Sequence, residues 1–253
     1  MDIADIVRHE FLNCATETIK RLEDEPGKMP FHEALLSKEA LFWSRFERSF
    51  STSFGQRTIE RLSAQIALYS GATNVIPQNL VSFNIDSDIH NAVIHHLSAL
   101  RRKNSGAITN WQEELNYFRS IPSSGHVVNI SIRSDLYYTR NNTHHFYSIK
   151  TVKPNIDQTV EAKKDLLLLS LAYPGSKAYF GLYYNPYGEV REQYIWGPPR
   201  RIFNFHTDES VLIGRDYWNN LGGNGTYEFI MGIAQEVGPE IQELIRQYGI
   251  RNL

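Results

Sequence analysis

Three residues can do chemistry together: Asp135, late in an alternating run over 127–138, and Ser148 and Lys150 in the next such run. On a strand, Ser148 and Lys150 share one face while Ile149 points to the other. Between the runs lies Thr139-Arg140-Asn141-Asn142-Thr143, a polar, Asn-rich turn. The pattern predicts a hairpin that brings Asp135 near Ser148 and Lys150 at one end of a sheet. A carboxylate and an ammonium so placed suit phosphodiester hydrolysis. The carboxylate would bind Mg²⁺, a hard cation that favours oxygen ligands and keeps several waters. The metal would polarise a phosphate oxygen and lower the pKa of an attacking water. Lys150 would orient that water or stabilise charge in the transition state. The same two residues read equally as a cross-strand ion pair.

One carboxylate rarely suffices, and the residue two before Lys150 is Ser148, not an acid. The nearest further acid is Glu161, with Asp157 one helical turn before it. Either can reach back toward the strand end, and Glu161 reads also as a solvated helix residue. A glutamate from the N-terminal helices, Glu47 or Glu60, is a further candidate. His144 and His145 are adjacent, so on a strand they face opposite ways and cannot share a metal. The nine histidines show no zinc spacing, and one cysteine excludes a cysteine-rich zinc site. There is no Walker loop, no G-x-G-x-x-G and no G-x-S-x-G elbow.

The elements that must position these groups can be read from pattern. Pro154 stops the second strand, and Asn155 is an N-cap with Gln158 three residues on, so a helix is predicted over 156–172. Upstream, apolar residues at helical spacing predict helices over 2–25, ended by Pro26-Gly27, over 32–46, and from Gly55 to Tyr69, with an aromatic and hydroxyl-rich turn at 46–55 between the last two. Residues 72–86 read as short extended pieces. Helices are predicted over 86–103, with a basic end Arg101-Arg102-Lys103 suited to a helix C-terminus, and over 110–119. Strands follow at 177–184 and, after Asn185-Pro186-Tyr187-Gly188, at 190–195. Residues 208–253 read as mostly helical, interrupted by Leu221-Gly222-Gly223-Asn224-Gly225. The reading is one α/β domain over 1–253: a mainly helical portion at 1–120, a catalytic sheet core at 126–205, and a C-terminal helical portion at 208–253.

Composition bounds the class. The chain has 253 residues, 42% hydrophobic and 12% aromatic, as in ordinary globular proteins. No apolar run approaches a membrane span, and the N-terminus lacks the basic start and apolar core of a secretory signal. The lone Cys14 cannot form an internal disulfide, so a reducing cytoplasm is the expected location. A net charge of −2 argues against a non-specific nucleic-acid coat but permits a DNA enzyme whose positive charge is local.

At these residues the chain resembles the PD-(D/E)xK nuclease superfamily and, more narrowly, type II restriction endonucleases of the TdeIII kind. Three blocks carry the resemblance: Ser148-Ile149-Lys150-Thr151-Val152-Lys153-Pro154-Asn155; residues 46–56, from Phe46-Glu47-Arg48 to Phe54-Gly55-Gln56; and Gly214-Arg215-Asp216-Tyr217-Trp218 with Gly222-Gly223-Asn224-Gly225-Thr226-Tyr227. The resemblance implies a central mixed sheet flanked by helices, Mg²⁺-dependent cleavage of double-stranded DNA, and a homodimer matching a short palindromic, GGNCC-like site. It also implies a cognate DNA methyltransferase. Asp135 maps to the motif's first acid and Lys150 to its lysine. Ser148 stands where Asp or Glu is the rule. Some restriction enzymes similarly carry S-x-K and take the acid from the next helix, which favours Glu161, with Glu60 or Glu47 as a further metal-site carboxylate. Arg140, Asn141, Asn142, Lys153, Arg191, Arg200 and Arg201 are available for DNA contacts, and nothing in the sequence chooses among them. Two rival readings remain: a repair or RNA-processing nuclease of the same superfamily, and a DNA-binding protein whose Ser148 marks lost catalysis.

Overall fold

The computed structural model describes residues 2–24, 28–102 and 109–252. The Pro26-Gly27 stop and Lys103 therefore lie outside the described residues. The chain divides into two compact units, one built from Met1–Gln65 with Tyr227–Leu253, the other from Ile66–Thr226.

The first unit is helical. It holds α1 (Ile3–Asp24), α2 (Pro30–Leu35), α3 (Lys38–Ser53), a π-helical turn (Phe54–Thr58) and the start of α4 (Ile59–Tyr69), together with a C-terminal helix given below. The predicted single helix over 32–46 is two helices, because Ser37 caps a new start by accepting from the Ala40 amide at 3.2 Å. The predicted turn at 46–55 is helical. Its aromatics are four apart, and Phe46, Phe50 and Phe54 stack with centroids 6.0 and 5.6 Å apart. Its hydroxyls bond back along the helix, as Thr52 Oγ1 does to Arg48 O at 2.8 Å.

The second unit carries the sheet. In chain order it contains β1 (Thr73–Asp86), α5 (Ser87–Arg101), α6 (Trp111–Arg119), β2 (Val127–Arg140), β3 (Thr143–Lys150), α7 (Ile156–Ala172), β4 (Lys177–Leu182), β5 (Val211–Ile213) and α8 (Arg215–Gly222). After Gly223 to Gly225, α9 (Thr226–Asn252) begins and belongs almost wholly to the helical unit. The five strands lie in sequence order. β1, β2 and β3 are antiparallel, whereas β3–β4 and β4–β5 are parallel, so the sheet is mixed and α7 makes the β3–β4 crossover.

Helices cover both faces. On one, Phe146, Ala178 and Phe180 join Leu166, Leu167 and Leu168 of α7 and Val93 and Leu97 of α5 in the core. On the other, the α8 residue Tyr217 packs so closely on β4 that a Cβ at Gly181 would lie 2.5 Å from its ring. The observed mixed sheet flanked by helices, with a helical N-terminal part, matches the predicted α/β class.

Three strand readings are corrected. Residues 72–86 are not short pieces but one long edge strand, β1, paired over its length with β2. Pro77 is tolerated there because an edge strand has one unpaired side. The predicted strand over 190–195 does not form. Arg191 instead donates to the carbonyls of Phe205 and Asp208, and Gln193 folds back to accept from the Val190 amide, so the chain wraps as coil with a 3-10 turn at Arg191–Gln193. Finally, the region read as helical after 208 supplies a short buried strand, β5.

Candidate active site

The hairpin register places the chemistry. β2 and β3 pair from Arg140↔Thr143 at the turn to Leu136↔Tyr147, and there the pairing stops while β2 continues alongside β1. Asp135 sits at this fork. Its Oδ2 accepts from the Ile149 backbone amide at 2.6 Å, replacing the strand partner that β2 no longer supplies. The same oxygen lies 3.1 Å from Lys150 Nζ, and Oδ1 accepts from Gln78 Nε2 at 3.3 Å. Side-chain exposures of 19% for Asp135 and 25% for Lys150 leave both reachable from solvent. Ser148 is half-buried in the same alternate series as Lys150. Asp135 is beside Lys150, as the hairpin reading expected, but at a fork partway along β2 rather than at one end of the sheet. The cross-strand ion pair is present as well.

Beyond Lys150 the chain is pinned. Tyr194 OH donates to Val152 O and Trp196 Nε1 to Pro154 O, each at 2.9 Å, while Asn155 and Gln158 complete a capping box that starts α7. Lys153 lies over the rings of Tyr187 and Trp196, 5.4 and 5.7 Å from their centroids.

α7 presents its acids in a stripe. Asp157 pairs with Arg101 at 2.6 Å. Glu161, one turn on, is 64% exposed and pairs with Lys164. A further turn on is Asp165, 25% exposed, with Lys164 Nζ 3.5 Å from its carboxylate. Burial pushes the Asp165 carboxyl up to about 6, against the pull of Lys164; Glu161 adds to the rise, and Lys150 opposes it. Asp165 is the more buried of these two acids, and Lys150 is the smallest of these influences on it. Sequence reasoning missed it, although the spacing that linked Asp157 to Glu161, carried one turn further, ends on Asp165.

Glu60 and Glu47 belong to the helical unit, not to the unit that carries Asp135 and Lys150. Asn141 and Asn142 form the two-residue hairpin turn with φ of 51° and 59°, at the end of the hairpin opposite the fork. Arg140 is engaged within the fold, donating to Ser70 Oγ and to the carbonyls of Asn220 and Leu221. Arg200 donates to Tyr194 O at 2.8 Å, and Arg201 is half-buried.

Among the described residues, no three His, Cys, Asp or Glu side chains gather as a ready metal cluster. The donor chemistry nevertheless suits a hard divalent cation. Asp135 beside Lys150, and Asp165 on α7, are both carboxylates, and Mg²⁺ needs only one or two carboxylates beside waters and phosphate oxygens. An acid held part-buried with a raised pKa is the group that a nearby cation would ionise.

Comparison with known proteins gives the same class. Residues 1–238 match the family model for the type II restriction endonuclease HinfI. The type II restriction enzymes HgiCII, HgiEI and HgiBI of Herpetosiphon aurantiacus are each 29% identical over 214 residues, covering 83% of this chain and 77% of each relative. The narrower likeness to the TdeIII kind rests on the three sequence blocks alone.

Proposed function

The chain belongs to the HinfI family of type II restriction endonucleases, and from that membership we propose that it hydrolyses double-stranded DNA with Mg²⁺ at the fork between β2 and β3. The single observation that carries this reading is the Asp135–Lys150 pair at that fork, 3.1 Å apart and partly exposed.

Asp135 and Asp165 are the carboxylates that would hold the metal, with Glu161 at the rim and Ser148 placed to hydrogen-bond the attacking water. When bound, Mg²⁺ supplies Lewis acidity toward a phosphate oxygen and a lowered pKa for water. Gln78 and the Ile149 amide fix the Asp135 carboxylate, so its oxygens keep one orientation. Lys150 neutralises that carboxylate before substrate arrives. In the complex its ammonium faces the phosphate, where negative charge grows. A bond forms from the water oxygen to phosphorus, one ester P–O bond breaks, and a proton passes to the leaving sugar oxygen. Lys153, held over Tyr187 and Trp196, is a phosphate contact beside the site. The site departs from a strict (D/E)xK at Ser148, and Asp165 from the following helix stands in for the missing acid. This arrangement supports the PD-(D/E)xK assignment.

The proposed substrate is a short palindrome cut by a homodimer and protected by a cognate methyltransferase, with a GGNCC-like sequence as the first to try. The test is digestion of unmethylated phage DNA in Mg²⁺. Discrete fragments are expected, and Lys150→Ala should cut at least about 10²-fold more slowly. Smeared products would point to a non-specific nuclease. Retained DNA binding without cleavage in Mg²⁺ or Mn²⁺ would favour the degenerate DNA-binding reading.

A further inference from the structure

The β1–β2 ribbon has two unlike faces. Val81, Phe83, Ile85, Val128, Ile130 and Ile132 pack on the core. The alternate series is exposed along both strands: Leu80 beside Arg133, Ser82 beside Ser131, and Asn84 beside Asn129. This second series ends beside the candidate active site: Leu80 and Arg133 are followed by Gln78, turned by its φ of 52°, and Asp135, the two joined by a 3.3 Å hydrogen bond. We propose that this exposed ribbon face enters the major groove and reads the base pairs next to the cut. The proposal rests on the assignment of catalysis to Asp135 and Lys150.

Four observations carry it. First, the chemistry is that of base readout. Two carboxamides, two hydroxyls, one guanidinium and one exposed aliphatic side chain are the groups that recognise adenine, either base edge, guanine and the thymine methyl respectively. Second, between Asp135 and Asp86 the series contains no acid that would repel phosphates. Third, Leu80 is 56% exposed in the middle of a polar stripe on a strand whose opposite face has a core to join. Solvation alone does not favour an apolar side chain there. Fourth, the dimensions agree. A two-stranded ribbon fits the major groove, and from Asp135 to Asn129 the strand covers roughly 20 Å at about 3.3 Å per residue. A phosphate at Asp135 therefore leaves the neighbouring bases within the reach of Arg133, Ser131 and Asn129.

The polar side chains are already ordered by short contacts. Ser82 Oγ and Ser131 Oγ are 2.7 Å apart, Asn129 Nδ2 donates to Asn84 Oδ1 at 2.9 Å, and Arg133 donates to Gln78 O at 3.3 Å. Each pair retains further donors or acceptors for a base. The bond from Arg133 to Gln78 also couples the reader to the residue that orients Asp135, so correct docking and a correctly set carboxylate are linked.

The test separates reading from cutting. Wild type, Asn129→Ala, Leu80→Ala and Arg133→Lys are each mixed with a randomised duplex library in Ca²⁺, and the bound DNA is sequenced. Wild type should enrich one motif. Each variant should lose preference at its own base pair by about 10- to 100-fold, keeping non-specific binding and its melting temperature. Variants that enrich the wild-type motif unchanged would overturn the proposal, as would a wild type that enriches none. A fall from dimer to monomer in the variants would overturn it too, assigning the face to a second copy of the chain. Cleavage of phage DNA in Mg²⁺ by wild type, against Lys150→Ala, reports on the catalytic assignment by itself and can fail independently.

Discussion

Asp165 shows how a single side chain separates a functional from a structural role. Its carboxyl is pushed up to about 6 from an ordinary value of 3.8, with burial the largest cause. Between those values the folded chain holds a proton that the unfolded chain has released. Stability therefore falls as pH rises through that window, and the loss is complete above about pH 6. Asp165→Asn removes the loss. Unfolding followed by denaturant in EDTA should find the variant more stable than wild type by on the order of 1–3 kcal/mol near pH 7.5, and equal to it near pH 4. The same variant should cut DNA at least about 10²-fold more slowly, whereas Glu161→Gln at the solvated rim should lose less than about tenfold. A variant that is stabilised and still cuts normally would remove Asp165 from the metal site. The pair Asp135–Lys150 was legible because hairpin alternation alone sets it. Asp165 was not, because in Lys163-Lys164-Asp165 it reads as one more surface charge and only the fold buries it.

At the scale of elements, α7 is the hinge between chemistry and core. One side presents Glu161 and Asp165; another sends Lys163 into the interior. There Lys163 Nζ lies 2.6 Å from Glu114 Oε2, both side chains having no exposure, and Glu114 Oε1 is 2.8 Å from His96 Nε2. Lys163 also donates to Ile202 O and lies over the Phe203 ring. This network ties α5, α6 and the loop after Trp196 to the helix that carries the acids. Lys163→Met would strand a buried carboxylate and should cost about 3–5 kcal/mol of stability. Adding Glu114→Leu removes that carboxylate and should restore most of the loss. Cleavage by the double variant at a temperature where it is folded should be within a few fold of wild type, since neither residue touches the substrate; a large loss in a folded double variant would place the network in the chemistry. α7 itself was readable end to end, because Pro154, Asn155 and Gln158 announce its start. The β1–β2 ribbon was not. Asn74 and Gln78 take φ near +50° and Pro77 interrupts the run, so strand alternation is broken locally and restored only by pairing with β2 more than forty residues away. β5 is three residues long and fully buried, too short for any periodicity to register.

At the scale of the whole molecule, the proposed palindrome has a consequence that one protomer cannot satisfy. A duplex presents two antiparallel scissile phosphates, and each protomer carries one Asp135–Lys150 fork. A two-fold pair of chains would set one fork at each strand, with each ribbon reading one half-site. Cutting by one protomer should then be independent of the chemistry in its partner, though binding needs both ribbons. When wild type is unfolded and refolded with an equal amount of Lys150→Ala, about half the dimers should be mixed if association is random. On a supercoiled plasmid with one site, wild-type dimers should give linear product, whereas mixed dimers should first give the nicked circle. The expected signature is nicked circle that accumulates transiently with the mixed fraction, before the wild-type dimers in the mixture, about a quarter of the total, or rebinding in the opposite orientation linearise it. A mixture giving only the linear product at half the wild-type rate would mean that a single protomer cuts both strands in turn. The homodimer proposal would then fall while the fork chemistry stood.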